Sequence, residues 1–144
     1  MYKGIVAIVL VLIMGCDNDD ANRNNQFLPD VPVNFTLNLN LPQYVSLTSP
    51  GGTFVETGNN RGIKGVVVYN LNNSTYFAYE LSDPNHAPNE CSALMVNGIE
   101  GTCGCEDQNT YTLITGQPVE GTKGFPLRAY VARRQGNLLS VSSQ

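Results

Sequence analysis

The sequence has little of what several large functional classes of protein require. His86 is its single histidine, so no Ser-His-Asp catalytic arrangement can be argued from it. Eight Lys and Arg residues stand against twelve Asp and Glu residues, and only Arg133 and Arg134 form a basic cluster. Nucleic-acid binding depends on neutralising many phosphates. We therefore expect no enzymatic activity and no nucleic-acid partner.

Long apolar segments and helical periodicity are also missing. The longest unbroken apolar run covers residues 4–14, whereas a membrane-spanning helix needs about 20 apolar residues. No segment repeats its apolar residues with the 3.6-residue period of an amphipathic helix. These absences exclude a comfortable membrane span and a helical body.

The first 20 residues have the pattern of a secretory signal. Lys3 gives a positive start, the apolar run follows, and Gly15 is a small residue before Cys16. The segment Ile13-Met14-Gly15-Cys16 resembles the lipobox of bacterial lipoproteins, in which the cysteine is acylated and becomes the new N-terminus. This resemblance implies a signal peptide over 1–15 and a membrane anchor on Cys16. The alternative is a short uncleaved anchor with an incidental cysteine.

Residues 16–32 are predicted to be a polar flexible linker, because they are too polar to contribute to a core. The acidic segment directly after Cys16 resembles surface-export signals of Bacteroidetes lipoproteins. We therefore expect a lipid-anchored protein of the cell envelope, at the outer membrane, on its periplasmic or surface face. The folded domain is predicted to cover 33–144.

This domain reads as a series of short strands. Apolar residues alternate strictly with polar ones from Val33 to Leu41, which is typical of a half-buried strand. The β-branched run within 63–69 indicates a buried strand that pairs with 75–79 as a hairpin. Turn signals at Asn97-Gly98 and at 134–137 predict two further hairpins. Regularly spaced short strands indicate an all-β fold, an antiparallel sandwich or barrel.

Three cysteines remain after Cys16, and an extracytoplasmic location favours a disulfide. The possible pairs are Cys91–Cys103, Cys91–Cys105 and Cys103–Cys105. The last pair would close a very tight ring and is the least favourable. The residues alone leave the choice between the first two open.

A strand runs into Asp83-Pro84-Asn85-His86, and a Cys-x-Cys motif follows at Cys103-Gly104-Cys105-Glu106. Further along lie Thr115-Gly116-Gln117-Pro118-Val119-Glu120-Gly121 and Pro126-Leu127-Arg128-Ala129-Tyr130. The order of these features over residues 63–142 resembles a Rieske iron–sulfur domain, and the last two segments are the most specific part. The resemblance implies a Rieske-like β-sandwich or barrel with a small subdomain that bears two loops, 82–91 and 103–110. It also implies a Cys91–Cys105 disulfide.

The family's cluster ligands are mostly absent at the matching positions. A Rieske 2Fe-2S cluster needs two thiolates and two imidazoles. The resemblance places these ligands at Asp83, Asn85, Cys103 and Glu106, and His86 lies one residue late. Only Cys103 keeps the family's residue type, so we expect neither a cluster nor another cofactor.

The same region also permits a metal hypothesis. Carboxylate, imidazole and thiolate groups together suit Zn²⁺, and the candidate set is Asp83, His86, Cys103 and Glu106. The favoured interpretation is that the two carboxylates cap turns and that His86 is an exposed loop residue, with no metal bound.

These observations lead to one functional hypothesis and two alternatives. The hypothesis is a membrane-anchored, Rieske-like lipoprotein that has lost its cluster and acts as a non-enzymatic structural or interaction domain of the cell envelope. One alternative is a 2Fe-2S electron-transfer protein with atypical ligands. The other is an accessory lipoprotein that binds a glycan or an envelope protein.

Overall fold

The computed structural model describes residues 25–144, so the predicted signal peptide, Cys16 and the first part of the predicted linker lie outside the described residues. Nine strands and one 3₁₀ helix occur in this range. The strands are β1 (Asn34–Asn38), β2 (Thr53–Glu56), β3 (Val66–Asn70), β4 (Tyr76–Glu80), β5 (Leu94–Asn97), β6 (Glu100–Cys103), β7 (Thr110–Thr112), β8 (Ala129–Gln135) and β9 (Leu138–Ser142). None of the helical segments in this part of the chain has the length and apolar character needed to cross a membrane.

The strands form two antiparallel sheets, which confirms the predicted all-β class. The larger sheet has six strands in the order β1-β9-β8-β4-β3-β2, and the smaller has three in the order β5-β6-β7. A bridge between Val33 and Arg61 connects the start of β1 to the segment between β2 and β3, near the opposite edge. The larger sheet is therefore strongly curved, and the smaller sheet carries the predicted loop-bearing subdomain.

Strand β3 explains how the two sheets share a core. All five of its residues are buried, because successive side chains point to opposite faces and both faces are covered. Val66 and Val68 pack in the core of the larger sheet. Val67 and Tyr69 pack in a second core, between the two sheets. The continuous β-branched run in the sequence is thus the signature of a strand that is buried on both faces.

Several boundaries differ from the sequence-based prediction. Strand β1 ends at Asn38 instead of continuing to Leu41, which is 43% exposed. A 3₁₀ helix that the pattern did not predict covers Pro42–Thr48, with Pro42 in its first turn. Only Tyr44 and Leu47 of that helix are buried, which is too few for a helical period to be visible.

One hairpin turn is shifted by one residue from its predicted position, and the last one is tighter than predicted. Asn97 pairs with Glu100, so the turn residues are Gly98 and Ile99, and Gly98 has a φ of 60°. In the last hairpin β8 runs on to Gln135, which pairs with Leu138. Two-residue loops with a positive φ match the right-handed twist of the flanking strands.

The packed part of the chain begins before the predicted boundary at residue 33. The Asn25 side chain is 8% exposed and donates to the Pro84 carbonyl, at 2.7 Å. Leu28 is buried, and the Arg128 guanidinium donates to its carbonyl, also at 2.7 Å. Residues 25–30 therefore form a segment docked on the domain, which we call the N-terminal strap. Contacts with residues far along the chain hold it, so its polar composition alone predicts a linker.

Candidate functional site

Two loops meet at the end of the smaller sheet. The first loop, residues 82–91, follows β4, and the second loop, residues 103–110, joins β6 to β7. A disulfide between Cys91 and Cys105 connects them, with the two Cα atoms 4.9 Å apart. This is the pair that the family resemblance implies. Within residues 25–144, Cys103 is the free thiol, and it is buried.

Asp83 is the centre of the contact between the loops. Its side chain is fully buried, and its main-chain N–H donates to the Ser92 carbonyl, so the first loop is closed on itself. Its Oδ1 atom accepts hydrogen bonds from the Tyr111 hydroxyl at 2.7 Å and from the Asn85 N–H at 2.8 Å. Its Oδ2 atom accepts one from the Asn109 amide at 3.0 Å. A buried carboxylate needs such donors, because an unpaired one costs several kcal/mol.

Asn85 fastens a third segment to this centre. Its amide nitrogen donates to the Tyr111 hydroxyl at 2.8 Å and to the Phe125 carbonyl at 3.1 Å, and its oxygen accepts the Phe125 N–H at 2.9 Å. Gly124 passes so close that a Cβ there would meet the Asn85 amide, and its φ is 107°. Asn85 therefore acts as a cross-link between the first loop and the loop before β8.

His86 forms the outer edge of the site. Its Nε2 atom lies 2.7 Å from Asp107 Oδ2 and 3.7 Å from Asp83 Oδ2. The Asn109 amide also donates to Asp107, at 2.7 Å. The His86 and Asp107 side chains are 27% and 41% exposed, whereas Asp83 is inaccessible, so the cluster opens to solvent on one side only.

Cys103 lies beneath this edge at the end of β6. Its sulfur accepts a hydrogen bond from the Cys105 N–H at 3.5 Å. Burial raises the pKa of the Cys103 thiol to about 12, and the nearby Asp83 carboxylate contributes to the increase. Burial and the hydrogen bond to Asp83 likewise raise the pKa of Tyr111. Both groups are therefore neutral donors at neutral pH, and Cys103 is a poor nucleophile.

The structure changes the predicted set of site residues in one respect. Asp83, His86 and Cys103 come together, but the fourth member of the group is Asp107 and not Glu106, which is exposed. The reason is the bend after Cys105, which turns the side chain of Asp107 toward His86 and leaves that of Glu106 in solvent.

Sequence reasoning also missed the roles of Asn109 and Tyr111. They lie two residues apart at the start of β7, and the period of a strand places such residues on one face. The two-residue spacing predicts that the two side chains lie on the same face. It does not predict that both donate hydrogen bonds to a buried carboxylate.

The residues of this site do not fit a 2Fe-2S cluster. Such a cluster needs four Cys or His ligands, and the loops offer one free thiol and one imidazole. Cys91 and Cys105 are held in the disulfide, and Asp83 and Asn85 offer oxygen and amide groups in place of the thiolate and imidazole that the cluster requires.

Comparison with known proteins gave structural similarities only. No protein-family model matches the sequence, and neither does any curated protein. The ferredoxin of carbazole 1,9a-dioxygenase from Nocardioides aromaticivorans IC177 is similar at 18% identity and a TM-score of 0.47, over 80% of this chain and 100% of that one. The complex of reduced oxygenase and oxidised ferredoxin in carbazole 1,9a-dioxygenase gives 18% identity and a TM-score of 0.46, over 65% and 90%. A Mycobacterium tuberculosis protein described as an NADH-dependent nitrite reductase small subunit gives 16% identity and a TM-score of 0.45, over 80% of this chain and 98% of that one.

Proposed function

We propose that this chain is a Rieske-like domain that has lost its iron–sulfur cluster and serves, without enzymatic activity, as a lipid-anchored structural or interaction module of the cell envelope. The support for kinship is the order of motifs over 63–142 together with the geometry around them. The two loops meet at the end of the smaller sheet, and a Cys91–Cys105 disulfide joins them.

The buried carboxylate of Asp83 carries the proposal that the cluster is gone. It occupies the position of the family's first cysteine ligand, yet its oxygen atoms accept hydrogen bonds from Tyr111, Asn85 and Asn109. Fully satisfied polar networks rigidify a site and specify one arrangement. The network therefore supports the loops without a cofactor, and the domain keeps a rigid tip.

The tip is the surface that such a module offers to a partner. It is a shallow depression lined by His86, Asn89, Cys91, Cys105, Glu106 and Asp107. Its shallowness suits contact with a macromolecule better than enclosure of a small substrate, because small-molecule sites are concave and bury most of their ligand. A glycan or another envelope protein is the partner we propose.

The anchor is supported by the pattern of the first 20 residues. The N-terminal strap packs beside the first loop, since Asn25 contacts Pro84. Eight residues separate Cys16 from Asn25 in the sequence, and an extended chain covers at most about 3.6 Å per residue. A lipid on Cys16 therefore holds Asn25, which contacts the first loop at Pro84, within roughly 30 Å of the membrane surface.

Analysis of iron and sulfide tests the loss of the cluster. Protein purified under anaerobic conditions from its native host is expected to contain no acid-labile sulfide and to show no visible charge-transfer bands. Cys103→Ser serves as the matched variant, because it removes the one retained ligand. Iron and sulfide in equal amounts in the wild type, and their loss in the variant, would establish electron transfer as the function instead.

Metabolic labelling tests the anchor. Cells grown with an alkyne-bearing fatty acid are expected to label the wild-type protein and not the Cys16→Ala variant. Unlabelled wild-type protein, or protein that is released from membranes by salt alone, would contradict the anchor. Protease treatment of intact cells then distinguishes the surface face from the periplasmic face.

A further inference from the structure

We propose that Asp83, His86, Cys103 and Asp107 form a mononuclear binding site for a borderline divalent cation, with Zn²⁺ as the best match. The inference rests on the proposed function in one respect, because it requires that no iron–sulfur cluster occupies the loops. It revises the predicted set by replacing Glu106 with Asp107.

The four side chains lie close enough together to share one ion. One ligand atom from each residue lies within 4.8 Å of all the others. Zinc has bonds of about 2.0 Å to nitrogen and oxygen and about 2.3 Å to sulfur, which places neighbouring ligand atoms of this set about 3.3–3.5 Å apart. His86 Nε2 is 3.7 Å from Asp83 Oδ2 and 2.7 Å from Asp107 Oδ2. An ion shared by His86 and Asp107 lengthens their 2.7 Å contact, which the exposed Asp107 side chain permits.

The donor types select the ion. One imidazole nitrogen, one thiolate sulfur and two carboxylate oxygens are a mixed set that suits Zn²⁺, whereas Ca²⁺ and Mg²⁺ require oxygen ligands throughout. A bound dication offsets the negative charge that two aspartates and a thiolate bring together. The thiol proton leaves to solvent when the metal binds, because a coordinating thiol is deprotonated.

The contacts around the four residues are those that a metal site needs. The Cys105 N–H points at the Cys103 sulfur from 3.5 Å, which stabilises sulfur in its thiolate form. The Asn109 amide donates to Asp83 Oδ2 at 3.0 Å and to Asp107 Oδ2 at 2.7 Å, so it orients both carboxylates. Such outer hydrogen bonds fix the direction of the ligands and strengthen binding.

Position in the fold gives the site both rigidity and access. Asp83 lies three residues beyond the end of β4, and Cys103 is the last residue of β6. The disulfide ties Cys91 to Cys105, two residues from Cys103. His86 and Asp107 face solvent in part, and they provide the path by which the ion enters.

Metal titration tests the proposal. The mature chain, purified in detergent with a tag that contains no histidine and treated with a chelator, is titrated with Zn²⁺ by calorimetry, and the stoichiometry is checked by native mass spectrometry. We expect one ion per chain. Asp107→Asn and His86→Gln are each expected to weaken binding at least about tenfold, whereas Glu106→Gln, the exposed neighbour, changes it less than about twofold.

Cobalt provides a spectroscopic readout that does not depend on affinity. Co²⁺ in the wild-type chain is expected to give the intense visible bands of tetrahedral coordination and a thiolate-to-cobalt charge-transfer band, which Cys103→Ser removes. Circular dichroism checks that each variant is folded. If the buried variant Cys103→Ser is unstable, the exposed variants Glu106→Gln and Asp107→Asn still allow metal binding to be compared.

The outcomes separate this inference from the proposed function. Absence of one-to-one binding, an equal effect of Glu106→Gln and Asp107→Asn, or a cobalt spectrum without a thiolate band would overturn the metal site while the cluster-free domain stands. Acid-labile sulfide in the native protein would overturn the proposed function itself.

Discussion

At the scale of single residues, hydrogen-bond donors from three residues stabilise the buried carboxylate of Asp83. Tyr111, Asn85 and Asn109 all direct polar hydrogens at its two oxygens, and Asp83 itself is fully buried. Removing the acceptor leaves the buried Tyr111 hydroxyl and two partly buried donors without this partner, and an unpaired buried donor costs about 1–3 kcal/mol.

We therefore predict that Asp83→Ala lowers the free energy of unfolding by about 3–5 kcal/mol. Asp83→Asn is expected to lose less, since its carbonyl oxygen still accepts the Tyr111 bond. Urea denaturation followed by circular dichroism measures both losses. Asp30→Asn, whose side chain is 93% exposed, is the control and should be neutral. A neutral Asp83→Ala would mean that the network contributes little.

Tyr79 is one of the residues that link stability to alkaline pH. It is 5% exposed, and burial raises its pKa to about 12 from the ordinary value of 10.0. In the unfolded chain the hydroxyl loses its proton near pH 10, whereas in the folded chain it keeps the proton until about pH 12. The unfolded state thus binds fewer protons between these values, and stability falls as the pH rises through this window.

We predict that Tyr79→Phe flattens this fall. The two-unit shift corresponds to about 2–3 kcal/mol of wild-type stability lost by pH 12, and to about half of that by pH 11. Urea unfolding of wild type and variant at intervals between pH 8 and 11 measures the difference between their profiles. Parallel profiles would show that Tyr79 does not titrate differently in the two states.

At the scale of elements, the end of β4 positions two buried carboxylates with different uses. Glu80 accepts hydrogen bonds at 2.7–3.0 Å from four groups. They are the Tyr130 hydroxyl and the N–H groups of Ile63, Lys64 and Ser82. Gly62, with a φ of 73°, passes where any Cβ would meet the Glu80 carboxylate. Glu80 thus shapes the turn before β3, whereas Asp83 assembles the site.

In the N-terminal strap, Arg128 holds the main chain, while Asn25 and Phe27 make further contacts with the domain. Arg128 donates to the Leu28 and Pro29 carbonyls, each at 2.7 Å, and Phe27 contacts the Phe125 ring edge to face. Carbonyl acceptors bind a buried guanidinium well because it has five donors in a fixed geometry. The strap consequently closes over one end of the sheet.

We predict that Arg128→Ala releases the strap. Chymotrypsin is expected to cleave after Phe27 much faster than in the wild type, and the free energy of unfolding should fall by about 2 kcal/mol. Arg133→Ala, at an exposed position of β8, is the matched control. Equal cleavage rates in the two variants would show that other contacts hold the strap.

At the scale of the whole molecule, the disulfide is the covalent connection between the two loops. Cys91 and Cys105 are separated by 14 residues, and closing a loop of about 15 residues stabilises a fold by about 3 kcal/mol in the chain-entropy model. The hairpin β5–β6 lies inside this closed loop, so the disulfide acts on the smaller sheet as a unit.

We predict that the double variant Cys91→Ala/Cys105→Ala loses about 3 kcal/mol of unfolding free energy. Adding a reductant to the wild-type chain should produce the same loss and should leave the double variant unchanged. Urea midpoints measured with and without reductant provide the test. A wild-type midpoint that ignores reductant while the disulfide is demonstrably reduced would disprove the stabilising role.

Local patterns in the sequence determined the all-β class, most strands and the pairing of β3 with β4, because alternation and turn residues act over a few neighbours. Local patterns did not predict the 3₁₀ helix at 42–48 or the strap at 25–30, since each is held by two or three contacts with distant residues. Family resemblance located the two loops and the cysteines that join them. It could not show which acidic residue faces His86.

Only the tertiary structure decided that question. Whether Glu106 or Asp107 enters the cluster depends on the bend that the disulfide and the Asn109 contacts impose on the second loop, over distances that no sequence spacing records. The direction of a loop side chain is set by the sum of contacts from three separate segments. For this reason the residue types at the site could be predicted from the sequence, but their assembly around Asp83 could not.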